Sequence, residues 1–333
     1  MTVASEYRDE HGREARKPRE IPARGWRDIL YRIKDEINED NISIVAAGVA
    51  FYVFLALFPG LAATVSIYGL AMDPAGLQKH MSVIEQVLPH DAVGLINTEL
   101  QRIVQAGSTS NRLGWAALIG IALALWSAAK GMSSLMEALN IAYDEKEERG
   151  FIRRNATALL LTLAFILFLF VLLALIAGVP AVLSTFNLDP TVTEVVGYSR
   201  WPLLAIAMIV ALAVLYRYAA SRAEPKWRWI TPGAVVATIL WLAGSIAFSL
   251  YVSYFASYNK TYGALGVVVI LMTWLLLSVY SVLLGAEINA EMEHQTKKDT
   301  TTGESKPMGK RRAYVADTVG RGANGEAGAE THH

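Results

Sequence analysis

The sequence predicts an all-α, polytopic membrane protein, a bundle of six transmembrane helices with amphipathic helices at the membrane surface. Hydrophobic residues make up 53% of the 333 residues, and they lie in long runs rather than in alternation. The 30 basic and 30 acidic residues crowd at the two ends and in short connections between those runs. At about 1.5 Å per residue, the runs are long enough to cross a hydrocarbon core about 30 Å thick.

The N-terminal segment, residues 1–24, is charged and poor in aromatic residues, which predicts disorder. It lacks the apolar core and cleavage site of a signal peptide, so the first span is expected to target the protein. Near residues 26–40, apolar residues recur at three- and four-residue spacing between charged ones, which predicts an amphipathic helix lying on the membrane surface. The alternative is a helix that packs on the protein's own loops.

Six spans are predicted within a transmembrane domain of residues 25–293, namely 42–71, 113–129, 156–183, 201–218, 234–255 and 264–285. A helix over the whole first span would measure roughly 45 Å, so it must tilt, kink or emerge, and Pro59 is the candidate hinge. Between the first two spans, residues 76–106 predict two short amphipathic helices that either roof the bundle or rest on the bilayer. The C-terminal segment, residues 294–333, is rich in Gly, Thr, Ala and charge, which predicts disorder.

The last two spans form a hairpin around which the rest of the chain is organised. Its tip, residues 257–263, is too short for a domain, and its tyrosines suit a water–lipid boundary. Placing both chain ends and the connections 130–154 and 217–228 on one side puts 25 of the 30 basic residues there. This bias predicts cytoplasmic termini, and an even number of spans is what same-side termini require.

A set of short segments, taken in this order on six spans, carries a family resemblance. They are Ala50-Phe51-Tyr52, Leu57-Phe58-Pro59, Trp126-Ser127-Ala128-Ala129-Lys130-Gly131, Leu139-Asn140-Ile141-Ala142-Tyr143, Pro232-Gly233, Tyr251, Ser257-Tyr258-Asn259-Lys260-Thr261-Tyr262-Gly263 and Gly285-Ala286-Glu287-Ile288-Asn289-Ala290-Glu291. Over residues 26–293 the chain resembles the YihY/BrkB family of bacterial inner-membrane proteins, some of which were once labelled ribonuclease BN. It departs from the family at Ala56, where a serine is expected.

The resemblance implies an envelope-associated membrane protein of the bacterial inner membrane. The name BrkB marks a proposed role in virulence and serum resistance. Transport of a lipid or another envelope component is the function usually suggested. We therefore expect a transporter or flippase of an amphipathic envelope component, and a non-transporting scaffold or regulator of envelope machinery is the alternative.

Ionisable and polar groups at span ends are the candidate path or gate residues, because such groups are costly in a membrane. On the inner side they are Lys130, Glu137, Glu287 and Asn289, and at the outer tip they are Asn259, Lys260, Thr261 and Tyr262. Lys130 and Glu287 are expected at the same inner boundary, where they could pair. Alternatively, Lys130 snorkels to lipid phosphates, Glu287 bonds neighbouring helix ends, and the outer tip is a plain polar turn.

Several chemistries have no support in the sequence. The chain has no cysteine, which excludes disulfides, thiolate nucleophiles and sulfur-ligated metals. Its six histidines are scattered over the tails and the outer loop, so the metal-dependent nuclease label finds no support. No phosphate-binding GxxxxGK[ST] loop, serine elbow or His-Glu-x-x-His pair occurs. We expect a non-enzyme with no catalytic residues, metal, cofactor or nucleic-acid partner; membrane lipids and an envelope protein are the expected partners, and the oligomeric state stays open.

Overall fold

A computed structural model describes residues 10–71, 112–178, 190–254 and 264–322. Within these ranges, every regular element is a helix, apart from one isolated antiparallel bridge between Pro225 and Thr301. The all-α prediction is therefore confirmed. Contacts divide the chain into a larger unit, Met1–Ala50 with Ser133–His333, and a smaller unit, Phe51–Met132.

The helices are α1 (Ala23–Glu39), α2 (Ile42–Ala71), α3 (Arg112–Ala142), α4 (Phe151–Leu173), α5 (Pro190–Tyr218), α6 (Trp227–Tyr254), α7 (Ala264–His294) and α8 (Tyr314–Asp317). A 3₁₀ turn, Pro18–Glu20, precedes α1, and a π-helical turn, Ala174–Gly178, continues α4. Within the described ranges, six helices, α2 to α7, are long and apolar enough to cross a membrane, in agreement with the six predicted spans.

The helix bounds differ from the predicted spans mainly at the ends. Helix α2 begins and ends where predicted and stays helical through Pro59, whereas α3 and α7 extend well past their apolar runs. Backbone hydrogen bonding can continue into polar sequence, so hydropathy marks the apolar core of a helix rather than its ends. The predicted amphipathic helices at 76–106 and the hairpin tip lie outside the described residues.

Helices α6 and α7 form the closest helix pair of the larger unit, and two glycines make this possible. A Cβ on Gly233 would collide with the carbonyl of Gly285 and the side chain of Asn289. A Cβ on Gly285 would come within 2.7 Å of both the Ala237 side chain and the Gly233 carbonyl. The backbones of the predicted hairpin therefore touch directly, as small residues permit in membrane helices.

Further along the same pair, two tryptophans and two serines bond reciprocally. The indole of Trp241 on α6 donates to Ser278 on α7 at 3.0 Å, and the indole of Trp274 on α7 donates to Ser245 on α6 at 3.3 Å. The two rings meet edge to face, with their centroids 6.2 Å apart. Indole N–H groups would be costly to leave unpaired in a span, so these bonds also fix the register of the two helices.

Helix α1 packs against protein with its apolar face. This face belongs to a buried cluster of Ala15, Ile21, Ile29, Ile33, Trp229 and Met292. Leu30 and Tyr31 on the opposite side are exposed. The helix covers the polar end of α7 and the start of α6 rather than loops. Its position on the membrane surface stays a prediction. Trp229 on α6 and Met292 on α7 form the apolar surface against which α1 packs.

The segments before α1 and after α7 pack together with two connections between helices, in a region that we call the polar layer. It consists of residues 10–22, 143–150, 219–226 and 295–322. Its segments bond to one another directly, for example from Lys297 N to Arg13 O and from Lys226 N to Thr300 O, both at 2.9 Å. The prediction of disordered tails is therefore corrected for residues 10–24 and 294–322. The remaining tail residues lie outside the described ranges.

Polar side chains, rather than apolar ones, order the C-terminal part of this layer. The buried guanidinium of Arg311 donates to four backbone carbonyls, those of Lys297, Lys298, Lys306 and Ala316. Asp299 accepts from the backbone N–H groups of Thr301 and Lys306, at 2.9 and 2.7 Å. Such side-chain-to-backbone bonds leave no hydrophobic period in the sequence, which explains why composition alone predicted disorder.

In the smaller unit, the described parts of α2 and α3 approach each other at Gly131. A Cβ there would lie 3.7 Å from the backbone of Tyr52 and of Val53, which is ordinary contact. Large apolar side chains are exposed along the spans of both units, including Phe58, Leu123, Leu167, Ile206 and Ile246. Exposed apolar surface of this extent is what lipid-facing helices present.

The glycine contact in the hairpin can be tested by adding one methyl group. Gly233→Ala is expected to destabilise the protein by about 1–3 kcal/mol, because backbone atoms of α7 cannot move aside. Thermal unfolding in detergent measures the effect. The matched control is Gly244→Ala on the same helix, where a Cβ meets no atom within 4 Å. Equal melting temperatures for the two variants would contradict the direct backbone contact.

Candidate functional site

Four carboxylates converge where α1, α3 and α7 end, and we call Glu36, Asp40, Asp144 and Glu287 the acidic cluster. Glu36 lies one helical turn before Asp40, which caps the C-terminal end of α1. Asp144 follows the end of α3 and adopts a left-handed φ of 53°, which a short Asp side chain tolerates. One carboxylate oxygen from each of Glu36, Asp40 and Asp144 lies within 4.8 Å of the other two.

Glu287 closes the cluster from inside the protein. It is only 2% exposed, and its Oε1 atom has no hydrogen-bond partner among the described residues. Its carboxyl group forms a hydrogen bond with that of Asp40. The charges acting most strongly on Glu287 are all negative, from Asp40, Glu291, Glu36 and Asp144. Glu287 therefore faces the cluster.

Burial and like charge both raise the pKa values of the outer carboxyls. Partial burial, reinforced by Asp144 and Glu291, raises the pKa of Glu36 to about 7. Partial burial and Asp144 raise the pKa of Asp40 to about 6, although the bond to Glu287 acts the other way. The pKa of Asp144 is also raised, mainly by burial. Among the described residues, no lysine or arginine forms an ion pair with these carboxylates, and the raised pKa values mean that part of the cluster is protonated near pH 7.

A neutralised pair flanks the cluster on α7. The guanidinium of Arg32 pairs with the Glu291 carboxylate and donates to the Glu291 carbonyl at 3.1 Å and to Gln295 Oε1 at 2.8 Å. His294 Nδ1 lies 3.5 Å from Glu291. His294 Nε2 is 3.0 Å from the hydroxyl of Thr318. Arg32 and His294 thus both bond Glu291 rather than a carboxylate of the acidic cluster.

A second buried carboxylate, Glu293, has the partner that Glu287 lacks. Arg222 and Glu293 form an ion pair at 2.7 Å in which both side chains are fully buried. Glu293 also accepts from the Thr300 hydroxyl at 2.6 Å, and Arg222 stacks over Tyr143 at 4.8 Å. Burial lowers the pKa of Arg222, but Glu293, Tyr143 and Glu145 together outweigh burial and hold that pKa above its ordinary value. This pair links three segments of the polar layer to α7.

The sequence-predicted residues of the inner side separate in the structure. Glu137 is exposed and pairs with Arg154 at 2.8 Å. Asn289 is fully buried, and its Oδ1 accepts from Gly233 N at 2.8 Å, so it holds the hairpin together. Lys130, in the smaller unit, lies over the ring of Trp126 at 5.6 Å. Its pairing with Glu287 stays a prediction.

The outer candidates Asn259, Lys260, Thr261 and Tyr262 lie outside the described residues. Pro59 lies inside α2, and its role as a hinge stays a prediction. Sequence reasoning missed Glu36, Asp40 and Asp144. A signal existed for two of them, because carboxylates at positions i and i+4 share one face of a helix. Asp144 gave no such signal, since its position depends on how the chain turns after α3.

Comparison with known proteins assigns the chain to a family. The family model described as Virulence factor BrkB matches residues 33–309, most of the chain. The chain belongs to the Virulence factor BrkB family. The matched range includes all four residues of the acidic cluster and extends beyond residue 293 into the polar layer. The resemblance to the YihY/BrkB family is thus confirmed, and the protein is a multi-pass membrane protein of this family.

Two relatives illustrate the match. The chain is 35% identical over 257 residues to the Bacillus subtilis protein named ribonuclease-like protein YfkH, covering 76% of this chain and 90% of that protein. It is 31% identical over 284 residues to a UPF0761 membrane protein of Photobacterium profundum, covering 83% of this chain and 84% of that protein. No solved structure matches the chain.

The buried ion pair of this BrkB-family protein can be compared with an exposed one. Glu293→Gln leaves Arg222 charged and buried without its counter-ion, so a loss of about 3–5 kcal/mol of stability is expected. The matched control is Glu137→Gln, which breaks the exposed pair with Arg154 and should cost less than about 1 kcal/mol. Thermal unfolding of both variants in one detergent measures the difference. Similar losses would show that the Arg222 pair does not hold the polar layer.

Proposed function

We propose that this BrkB-family protein moves a lipid or other amphipathic envelope component across the bacterial inner membrane, with both termini in the cytoplasm. The observation that supports this best is Glu287, a carboxylate buried near the end of a span with an oxygen that no described residue bonds. An ionisable group in such a position is costly. A substrate head group that reaches Glu287 would give it the polar contact it lacks.

The acidic cluster provides a polar approach to Glu287. Asp144 is exposed, Glu36 and Asp40 are half-buried, and Glu287 is buried, so polarity continues from solvent into the protein. The apolar side chains on the outer faces of the spans suit the acyl part of an amphipathic molecule. A head group would follow the carboxylates while the chains stay in lipid.

A scaffold that anchors or regulates envelope machinery is the second candidate, and a different observation favours it. The α6–α7 backbones touch at Gly233 and Gly285, and the polar layer is tied together by the buried Arg222–Glu293 pair. These features describe a rigid platform at that end of the protein. A scaffold requires a stable protein partner and no movement of lipid.

We propose that neither role is enzymatic. The sequence has no serine elbow, no His-Glu-x-x-His pair and no GxxxxGK[ST] loop, and it has no cysteine that could act as a nucleophile. The term "ribonuclease-like" belongs to the name of the Bacillus relative and describes that protein.

Lipid movement is tested with purified full-length protein in vesicles that contain fluorescent phosphatidylethanolamine or phosphatidylglycerol. Translocation above that of empty vesicles is expected, with at least a tenfold loss in Glu287→Gln because the carboxylate that meets the head group is gone. Glu304→Gln, an exposed site in the polar layer, is the charge-matched control and should keep full activity.

The thermal stability of Glu287→Gln should equal or exceed that of the wild type, because a buried like charge has been removed. This result separates a functional loss from unfolding. If the wild type translocates neither lipid, the proposal of lipid transport is wrong. If, in addition, one envelope protein co-purifies in a stoichiometric amount, the scaffold is supported.

A further inference from the structure

The four carboxylates of the acidic cluster have no assigned task in the architecture. Buried charges in proteins are normally paired or coordinate a metal ion. The Arg222–Glu293 pair follows this rule, whereas Glu287 forms no ion pair with a described residue and its Oε1 atom has no hydrogen-bond partner there. We therefore expect a cation to bind at the acidic cluster.

We propose that the acidic cluster binds one hydrated divalent cation of the Mg²⁺ or Ca²⁺ class through Glu36, Asp40 and Asp144, with Glu287 behind them. This inference concerns cation binding alone and does not require that the protein transports anything.

The spacing of the oxygens suits this class of ion. Oxygens of Glu36, Asp40 and Asp144 lie within 4.8 Å of one another, and a Ca²⁺ ion with bonds of about 2.4 Å can bridge oxygens that far apart. Mg²⁺, whose bonds measure about 2.1 Å, would reach the more distant oxygens through its bound water molecules. The exposed Asp144 leaves the outer side open to water, so water molecules can complete the coordination.

Glu287 is the independent observation that points to a ligand. Its side chain is more than nine-tenths buried, faces the cluster and has an oxygen without a partner among the described residues. A cluster of surface acids alone would be satisfied by water. A buried carboxylate behind that cluster is not, and a cation in front of it would offset its charge.

The donor set also selects the type of metal. All four groups are carboxylates, which suit hard, oxygen-preferring cations rather than zinc or copper. The nearest imidazole, that of His294, is already bonded to Glu291 and Thr318. The chain has no cysteine that could supply a thiolate.

Mn²⁺ is a suitable probe for the test, because paramagnetic resonance distinguishes the free ion from the bound one. Purified full-length protein in detergent, stripped with a chelator, is titrated with Mn²⁺ at pH 7.5. We expect about one bound Mn²⁺ per chain, displaced by Mg²⁺ or Ca²⁺, and a cation-dependent rise in melting temperature.

Asp144→Asn is the main variant because Asp144 is exposed and its loss should leave the fold intact. It is expected to weaken Mn²⁺ binding at least tenfold, and Asp40→Asn should act in the same direction. Glu304→Gln removes an equally exposed carboxylate away from the cluster and should bind like the wild type. Mn²⁺ binding that is absent from the wild type, or that is unchanged in both cluster variants, would overturn the proposal.

The proposal would also be overturned if Asp144→Asn raised the melting temperature while added cations left the melting temperature of the wild type unchanged. Protons rather than a cation would then neutralise the cluster.

Discussion

The buried pair of Arg222 and Glu293 is the contact on which the polar layer depends. Arg222 belongs to the connection between α5 and α6, and Glu293 to the last turn of α7. Through Thr300 and the ring of Tyr143, the same two charges reach the C-terminal segment and the end of α3. Fully buried charges tolerate little displacement, because each would otherwise lose its counter-ion in a medium of low dielectric constant. One ion pair thus fixes the relative positions of segments that are far apart in the sequence.

Two carboxylates on the same helix show how context decides the role of a residue. Glu287 and Glu293 are both almost completely buried near the polar end of α7. Glu293 faces an arginine and a threonine hydroxyl, and it acts as a structural anchor. Glu287 has no such ion-pair partner among the described residues, and the charges acting most strongly on it are negative. Sequence reasoning selected Glu287 as a candidate path or gate residue, but it could not distinguish these two environments.

Hydropathy predicted the parts of the fold that contact lipid, and it failed where polar groups build the structure. The six spans and the bounds of α2 follow from runs of apolar residues, since backbone groups in lipid must be satisfied within the helix. The order in residues 294–322 comes from Arg311, Asp299 and similar side chains bonded to nearby backbone, which no periodicity announces. The acidic cluster needed the turn at Asp144 to bring a residue from after α3 beside α1. Such long-range placement is not encoded in local spacing.

The contacts between the two chain ends have a consequence for biosynthesis. Gln295 donates to the carbonyl of His11, 284 positions earlier, and Lys297 N and the Thr296 hydroxyl bond to Arg13 and Ala15. Residues 11–15 therefore cannot form these hydrogen bonds until residues 295–297 have been synthesised. Every span enters the membrane in the interval. A chain cut short before residue 295 would contain α2 to α7 but would lack the partners that residues 11–15 bond.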